Sequence, residues 1–143
     1  MKNYQSFQIF LFLTSFLLFF CSYENVFAYK ESDFYKLKNT KKCIECDLTD
    51  LNLSRLNLRE VNISGSDLSG SDLSGVNLSR VNLSGTNLKN INLTGAKLVE
   101  ANLTGADLTE ANLSEANLSG ANLSGANLSK TNLTGVNLRN LYV

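Results

Sequence analysis

The chain has 143 residues, with 13 Lys and Arg against 13 Asp and Glu, and contains no histidine, proline or tryptophan. That length fits one domain with appendages, and the balanced charge supplies no overall field to draw in nucleic acid. Without histidine there is no imidazole base and the commonest metal ligand is missing; without proline, every residue keeps the N–H that a continuous backbone ladder needs.

Residues 1–28 carry the pattern of a secretory signal peptide. Lys2 gives a basic start, Ile9 to Phe20 is apolar apart from Thr14 and Ser15, and Val26 and Ala28 stand at the −3 and −1 positions of a cleavage site. The apolar run, read as a signal helix, is shorter than the roughly 20 residues of a spanning helix. The sequence therefore predicts cleavage before Tyr29 in preference to an uncleaved anchor, and no stable membrane span afterwards. Phe20 is too bulky for a lipid-attachment site at Cys21. Cleavage removes Cys21 and leaves Cys43 and Cys46.

Residues 29–45 are predicted to form a short cap or linker, helical in part, with Ser32 as N-cap and Phe34 and Leu37 on one side. Such a helix would lid the amino end of the coiled segment that begins at Cys46 and hide an edge otherwise free to pair. Lys36, Lys38, Lys41 and Lys42 read as its solvated face. For the C-x-x-C spacing of Cys43 and Cys46 three chemistries are weak: haem attachment needs His where Asp47 stands, a zinc site lacks enough ligands, and a thioredoxin-type site lacks its βαβ setting.

From Cys46 to Asn140 one five-residue phrase is written nineteen times: CDLTD, LNLSR, LNLRE, VNISG and onward to VNLRN. With the central residue as i, that position is Leu in eighteen pentads and Ile63 in the other, i−1 is Asn or Asp except at Lys97, and all nine glycines stand at i+2. Position i−2 is small or apolar, and i+1 is usually Ser or Thr. A period of five gives an α-helix no common apolar face, and in a flat strand it sends successive leucines to opposite sides. Positions i−2 and i nevertheless share a side within one pentad. The backbone must therefore corner once per pentad, at the Ser-Gly positions, where Gly admits positive φ and Ser suits turns. The result is a solenoid with i−2 and i inside and the rest outside.

The phrase Ala-(Asn/Asp)-Leu-X-X resembles the pentapeptide repeat proteins over about two-thirds of the chain. That resemblance implies an all-β fold, a right-handed quadrilateral β-helix with twenty residues per coil, here residues 46–143 in about five coils, behind the helical cap and the signal helix. It also implies that Cys43 and Cys46, opening the coils as C-x-x-C-(D/N)-L, form a disulfide that pins the first coil in an oxidising compartment. At the other end it implies an end-to-end homodimer through Leu138, Leu141, Tyr142 and Val143, with Tyr142 folding over the core as the alternative.

Written in rows of twenty, the sixteen charges of the repeats fall seven, three, six and none on the four sides. The third side, carrying Arg59, Arg80, Lys97, Val99 and Arg139, is the candidate partner face, and the uncharged fourth, with Asn62, Asn82, Asn102 and Asn122, is its rival. Asp47, Asp67 and Asp107 share the first side and invite a calcium reading, which the ordinary exchange of Asp for Asn in the family displaces. Some family members resemble B-form DNA and shield DNA gyrase from quinolones. A rod about 24 Å tall would need on the order of 14 negative charges for that role, whereas the repeats carry 7 Lys and Arg and 9 Asp and Glu.

The many Asn-Leu-Ser and Asn-Leu-Thr triplets would be glycosylation acceptors in eukaryotic secretion, which favours a bacterial exporter: periplasm, secretion or thylakoid lumen. The sequence thus predicts an exported structural or protein-interaction scaffold with an unidentified protein partner, no nucleic acid, no catalytic residue, no metal and no cofactor. The alternative is a nucleic-acid mimic that inhibits or protects an enzyme such as DNA gyrase.

Overall fold

The computed structural model describes residues 30–143; the signal segment expected at 1–28 lies outside them. The coils belong to one compact unit, Asp33–Val143.

Helix α1 (residues 30–39) closes with the Thr40 N–H donating to the Lys36 carbonyl at 2.9 Å. Ser32 is not its N-cap, because the helix is already formed at Lys30. Burial and not capping defines this element: Leu37 enters the same apolar core as Cys43, Cys46 and Leu48, and Phe34 packs against it.

The remainder winds in coils of twenty residues. Parallel bridges join Asp47 to Asp67, Asn87, Asp107 and Asn127 on the first side, and Asn52 to Asp72, Asn92, Asn112 and Asn132 on the second. Asn77, Lys97, Asn117 and Asn137 form the third column, and Lys42, Asn62, Asn82, Asn102, Asn122 and Tyr142 the fourth. The bridges are isolated and do not join into long strands, since a corner every five residues leaves each side only one i−1 residue in ladder geometry.

The physical necessity of the phrase emerges when its five N–H groups are followed in pentad 86–90. Asn87 donates to the Ser66 carbonyl of the preceding coil at 3.0 Å, while Leu88 and Asn90 donate to Asp107 and Thr109 of the following coil at 2.8 and 3.1 Å. Thr86 donates to the Leu83 carbonyl at 3.3 Å and closes the preceding corner, as Ile91 does to Leu88 at the next. The remaining N–H, of Lys89, donates to the Asn87 side-chain oxygen at 3.3 Å. Every N–H of this pentad is paired, as backbone donors in a packed fold require.

That last bond recurs from i+1 to i−1 in eighteen of the nineteen pentads. It is an Asx turn, available only to a short side chain with an acceptor oxygen two residues before the N–H it receives. The i+2 residue sits at positive φ in every pentad but the one ending at Arg55, which with the i to i+3 bond makes a type II turn.

Inside, Leu48, Leu53, Leu68 and Leu88 are fully buried, as are small i−2 residues such as Ala96 and Ala101. Three buried i−2 residues are polar, and each hydroxyl is satisfied. Ser66 accepts the Cys46 N–H and donates to the Cys43 carbonyl, Ser71 does the same between Leu51 and Leu48, and Thr86 donates to the Leu83 carbonyl.

Candidate functional site

Four surfaces offer themselves, and all are by-products of the same repeat. On the third side Arg80 lies between two carboxylates, with Nε 2.8 Å from Glu100 Oε2 and Nη1 3.7 Å from Glu60 Oε1. The Glu100 hydrogen bond, then its charge, raises the Arg80 pKa. Arg59 Nε also stands 3.5 Å from Glu60. Lys97 and Val99 lie one coil beyond Asn77 and Ser79: the Leu78 and Arg80 N–H groups donate to their carbonyls at 2.8 and 2.9 Å. Arg139, two coils further, is exposed. The structure therefore places these five residues on one wall, with Arg80 already engaged by its own neighbours. Asn57 makes no bridge to Asn77, so among the described residues this column starts one coil late.

On the first side each aspartate is tied down locally. Asp67 Oδ1 accepts the Ser69 N–H and hydroxyl, and its Oδ2 accepts the Asn87 amide at 3.0 Å. The Asp107 pKa is lowered by the Thr109 hydroxyl and N–H, with Lys89 adding to the effect; Lys89 Nζ is 3.1 Å away. Asp47 and Asp67 are bridge partners, but Asn87 intervenes before Asp107. Lys130 pairs with Glu110 at 2.7 Å, which lowers the Glu110 pKa and raises that of Lys130. The fourth side is uncharged from Asn62 to Ser124, with the Asn102 amide donating to Asn82 at 3.2 Å.

The ends differ. At the amino end the structure joins Cys43 and Cys46 as a disulfide, and Asp33 of α1, 7% exposed, accepts the Asp47 N–H at 2.9 Å. Asp33, Cys43 and Cys46 bring potential ligand atoms within 4.8 Å of one another, but two sulfurs bonded to each other are not thiolates and do not ligate. At the carboxyl end Leu133, Leu138, Tyr142 and Val143 are 37%, 43%, 65% and 90% exposed, while Leu141 is half-buried against the core.

Sequence reasoning missed two things here. Asp33 lies in another element, so no spacing could place it beside the cysteines. The i−1 oxygens were read as polar walls, although their confinement to Asn and Asp, never Gln or Glu, was the signal that side-chain length mattered.

These walls and corners define a class of four-sided solenoids built from five-residue turns. A family model of pentapeptide repeats matches residues 42–75, 77–114 and 101–140 in eight copies, and the chain is a member of the pentapeptide repeat family. Among solved structures it is similar to HetL, a pentapeptide repeat protein involved in heterocyst differentiation regulation in the cyanobacterium Nostoc. Identity is 35% and the TM-score 0.67, over 70% of this chain and 48% of HetL. It is similar also to a pentapeptide repeat protein of the Arabidopsis thaliana thylakoid lumen, with 35% identity and a TM-score of 0.53 over 66% of this chain and 59% of that one. QnrB1, a plasmid-mediated fluoroquinolone resistance protein, shares the fold at 22% identity and a TM-score of 0.54. The chain spans about half the length of HetL. No curated protein sequence matches it. Among the described residues no helix is long and apolar enough to cross a membrane.

Proposed function

We propose that this protein is an exported, non-catalytic scaffold whose third wall binds a protein partner. The observation that carries the reading is the disposition of the repeating polar groups. The Asn and Asp oxygens support the protein's own backbone in eighteen pentads. The repeat thus builds rigid walls, and what varies is the charge placed on them. A regulatory relative and a thylakoid-lumen relative, each 35% identical, are consistent with interaction and with export. The signal pattern of residues 1–28 and the two remaining cysteines point to the same compartment.

Cross-linking and mass spectrometry in the native host tests the scaffold. A single protein linked through Lys97 or its neighbours is the expected result, and links confined to the first or second side would overturn the assignment of the wall. A fusion reporter inactive outside the cytoplasm tests export: its activity would count against a periplasmic or lumenal address and promote the nucleic-acid mimic. In the exported protein Cys43 and Cys46 are oxidised, so a thiol assay on freshly recovered material should find neither free.

The exposed last coil is assigned to a homodimer through Leu138, Leu141, Tyr142 and Val143. Light scattering at micromolar concentration should give twice the chain mass, and a monomer mass removes the assignment.

A further inference from the structure

One pentad breaks the rule that the others obey. In AKLVE, residues 96–100, the i−1 residue is Lys97, whose ammonium has three donors and no acceptor. Among the described residues the Val99 N–H consequently has no acceptor, whereas Ser79 and Ser119, one coil to either side in the same column, donate to Asn77 and Asn117 at 3.1 and 3.0 Å.

The gap extends to the following coil. Asn117 is the bridge partner of Lys97, and its oxygen is already taken by the Ser119 N–H and by the Asn137 amide at 3.1 Å. Five such amides, of Asn87, Asn92, Asn102, Asn132 and Asn137, donate to the oxygen one coil back, while those of Asn82, Asn112 and Asn122 have an oxygen there and do not reach it. Lys97 offers Asn117 no such oxygen. One position on the wall therefore leaves the Val99 N–H and the Asn117 amide without the acceptor that the family phrase supplies, at the exposed Lys97. Glu100 and Glu60 do not fill it, being drawn to Arg80.

We infer that this position is a carboxylate-binding site, taking the side chain of an aspartate or glutamate on a partner protein. One ligand oxygen occupies the place that an Asn side-chain oxygen holds in neighbouring coils, accepting from Val99 and Asn117, while Lys97 supplies the charge. Charge-assisted bonds of this kind are shorter and stronger than neutral ones. The flanking Glu60 and Glu100 disfavour a dense polyanion, but a single carboxylate meets two unpaired donors beside a lysine. The identity of the ligand as part of a partner protein rests on the scaffold reading. The site itself does not, because it is probed on the isolated protein.

The test is a titration of the 15N-labelled protein with a peptide carrying a single glutamate, N-acetyl-Gly-Ser-Glu-Ser-Gly-amide, at low salt, followed by amide chemical shifts. The Val99 N–H and the Asn117 side-chain amide should shift saturably, and the same peptide with glutamine in place of glutamate should move neither. Lys97→Asn restores the family phrase, supplies the missing oxygen from within, and should weaken binding at least about tenfold while leaving the protein folded and no less stable. Arg55→Gln removes an exposed charge from the second side and should leave the affinity within about twofold. A Val99 amide that does not respond, a response to the neutral peptide, or equal losses in Lys97→Asn and Arg55→Gln would each overturn the site. The scaffold reading would survive any of these, since its own test is cross-linking in the host.

Discussion

Leu48 near the amino end and Leu138 near the carboxyl end occupy the same position of the same phrase, yet one is fully buried and the other 43% exposed. The difference lies in what stands next to them. Leu48 has a coil beyond it, receiving its N–H at Asp67, and shares its apolar cluster with Leu37 of α1. The corresponding bond is missing at Leu128, Leu133 and Leu138 among the described residues. In a solenoid, burial is a property of neighbouring repeats more than of the residue.

The largest test of that contrast is a pair of truncations. Leu88→Ala should cost about 2–5 kcal/mol, the range for a filled core position, and Leu138→Ala about 1 kcal/mol or less, as for a half-exposed apolar side chain. Urea denaturation of both variants measures the difference. If the last coil is covered by a second copy, the Leu138→Ala penalty should grow with protein concentration over the range in which the dimer forms. A concentration-independent penalty equal to that of Leu88→Ala would break the comparison.

Next in size is the cap. Leu37→Ala should cost about 2 kcal/mol, and it should act locally, by freeing α1. Hydrogen exchange is the measurement: the Asp47 amide, which donates to Asp33, should lose protection first, while Leu93 and Leu98 keep theirs. Removing residues 29–45 altogether should lower the melting temperature or cause aggregation, because it bares the edge of the first coil.

How much of this is legible in the sequence depends on what a five-residue period encodes. The period forces corners, and the leucines identify the interior, so Leu53 and Leu88 could be placed inside without coordinates. The four-fold register entered through the family resemblance. Glycine marked fewer corners than exist: Glu60, Arg80 and Lys130 take the same positive φ, at 60°, 59° and 57°, because the type II turn is enforced by bonds on both sides and not by the corner residue. Ser32 was misread as an N-cap because a capping residue is a local signal, whereas α1 is fixed by Leu37 reaching a core made of residues later in the chain. The candidate site was visible only as the oddity of Lys97 and Val99. That it is a missing acceptor became clear once the other eighteen pentads showed what the i−1 oxygen does.

A substitution at the corners should be blind to the two ends. Gly85 and Gly135 lie at φ of 64° and 70°. A Cβ at Gly85 would meet nothing within 4 Å, and one at Gly135 would lie 3.6 Å from Glu115 Cγ, an ordinary contact. Alanine at either should therefore cost only the left-handed conformation, about 1–2 kcal/mol. Equal shifts in the urea midpoint would separate this local strain from the neighbour-dependent burial of the leucines. A far smaller effect at Gly135 would mean that the last coil is already frayed.

The smallest effect, acid sensitivity, is likewise set by corners. The Ser74 N–H, then the Ser74 hydroxyl and Asn92, hold the Asp72 carboxyl below its ordinary value, and Thr109 does so for Asp107. A carboxyl whose pKa is lower folded than unfolded stabilises the protein above its unfolded value, about 4, and loses that contribution as pH falls through the folded value. Stability should thus be level from about pH 8 to 5 and decline below about pH 4. Asp72→Asn keeps an acceptor for the Ser74 N–H but cannot titrate. It should match the parent at neutral pH and lose less on acidification, with Asp107→Asn behaving alike although it also releases Lys89. Urea midpoints at neutral and acid pH decide the matter: a decline unchanged by both substitutions would move acid sensitivity away from these corners.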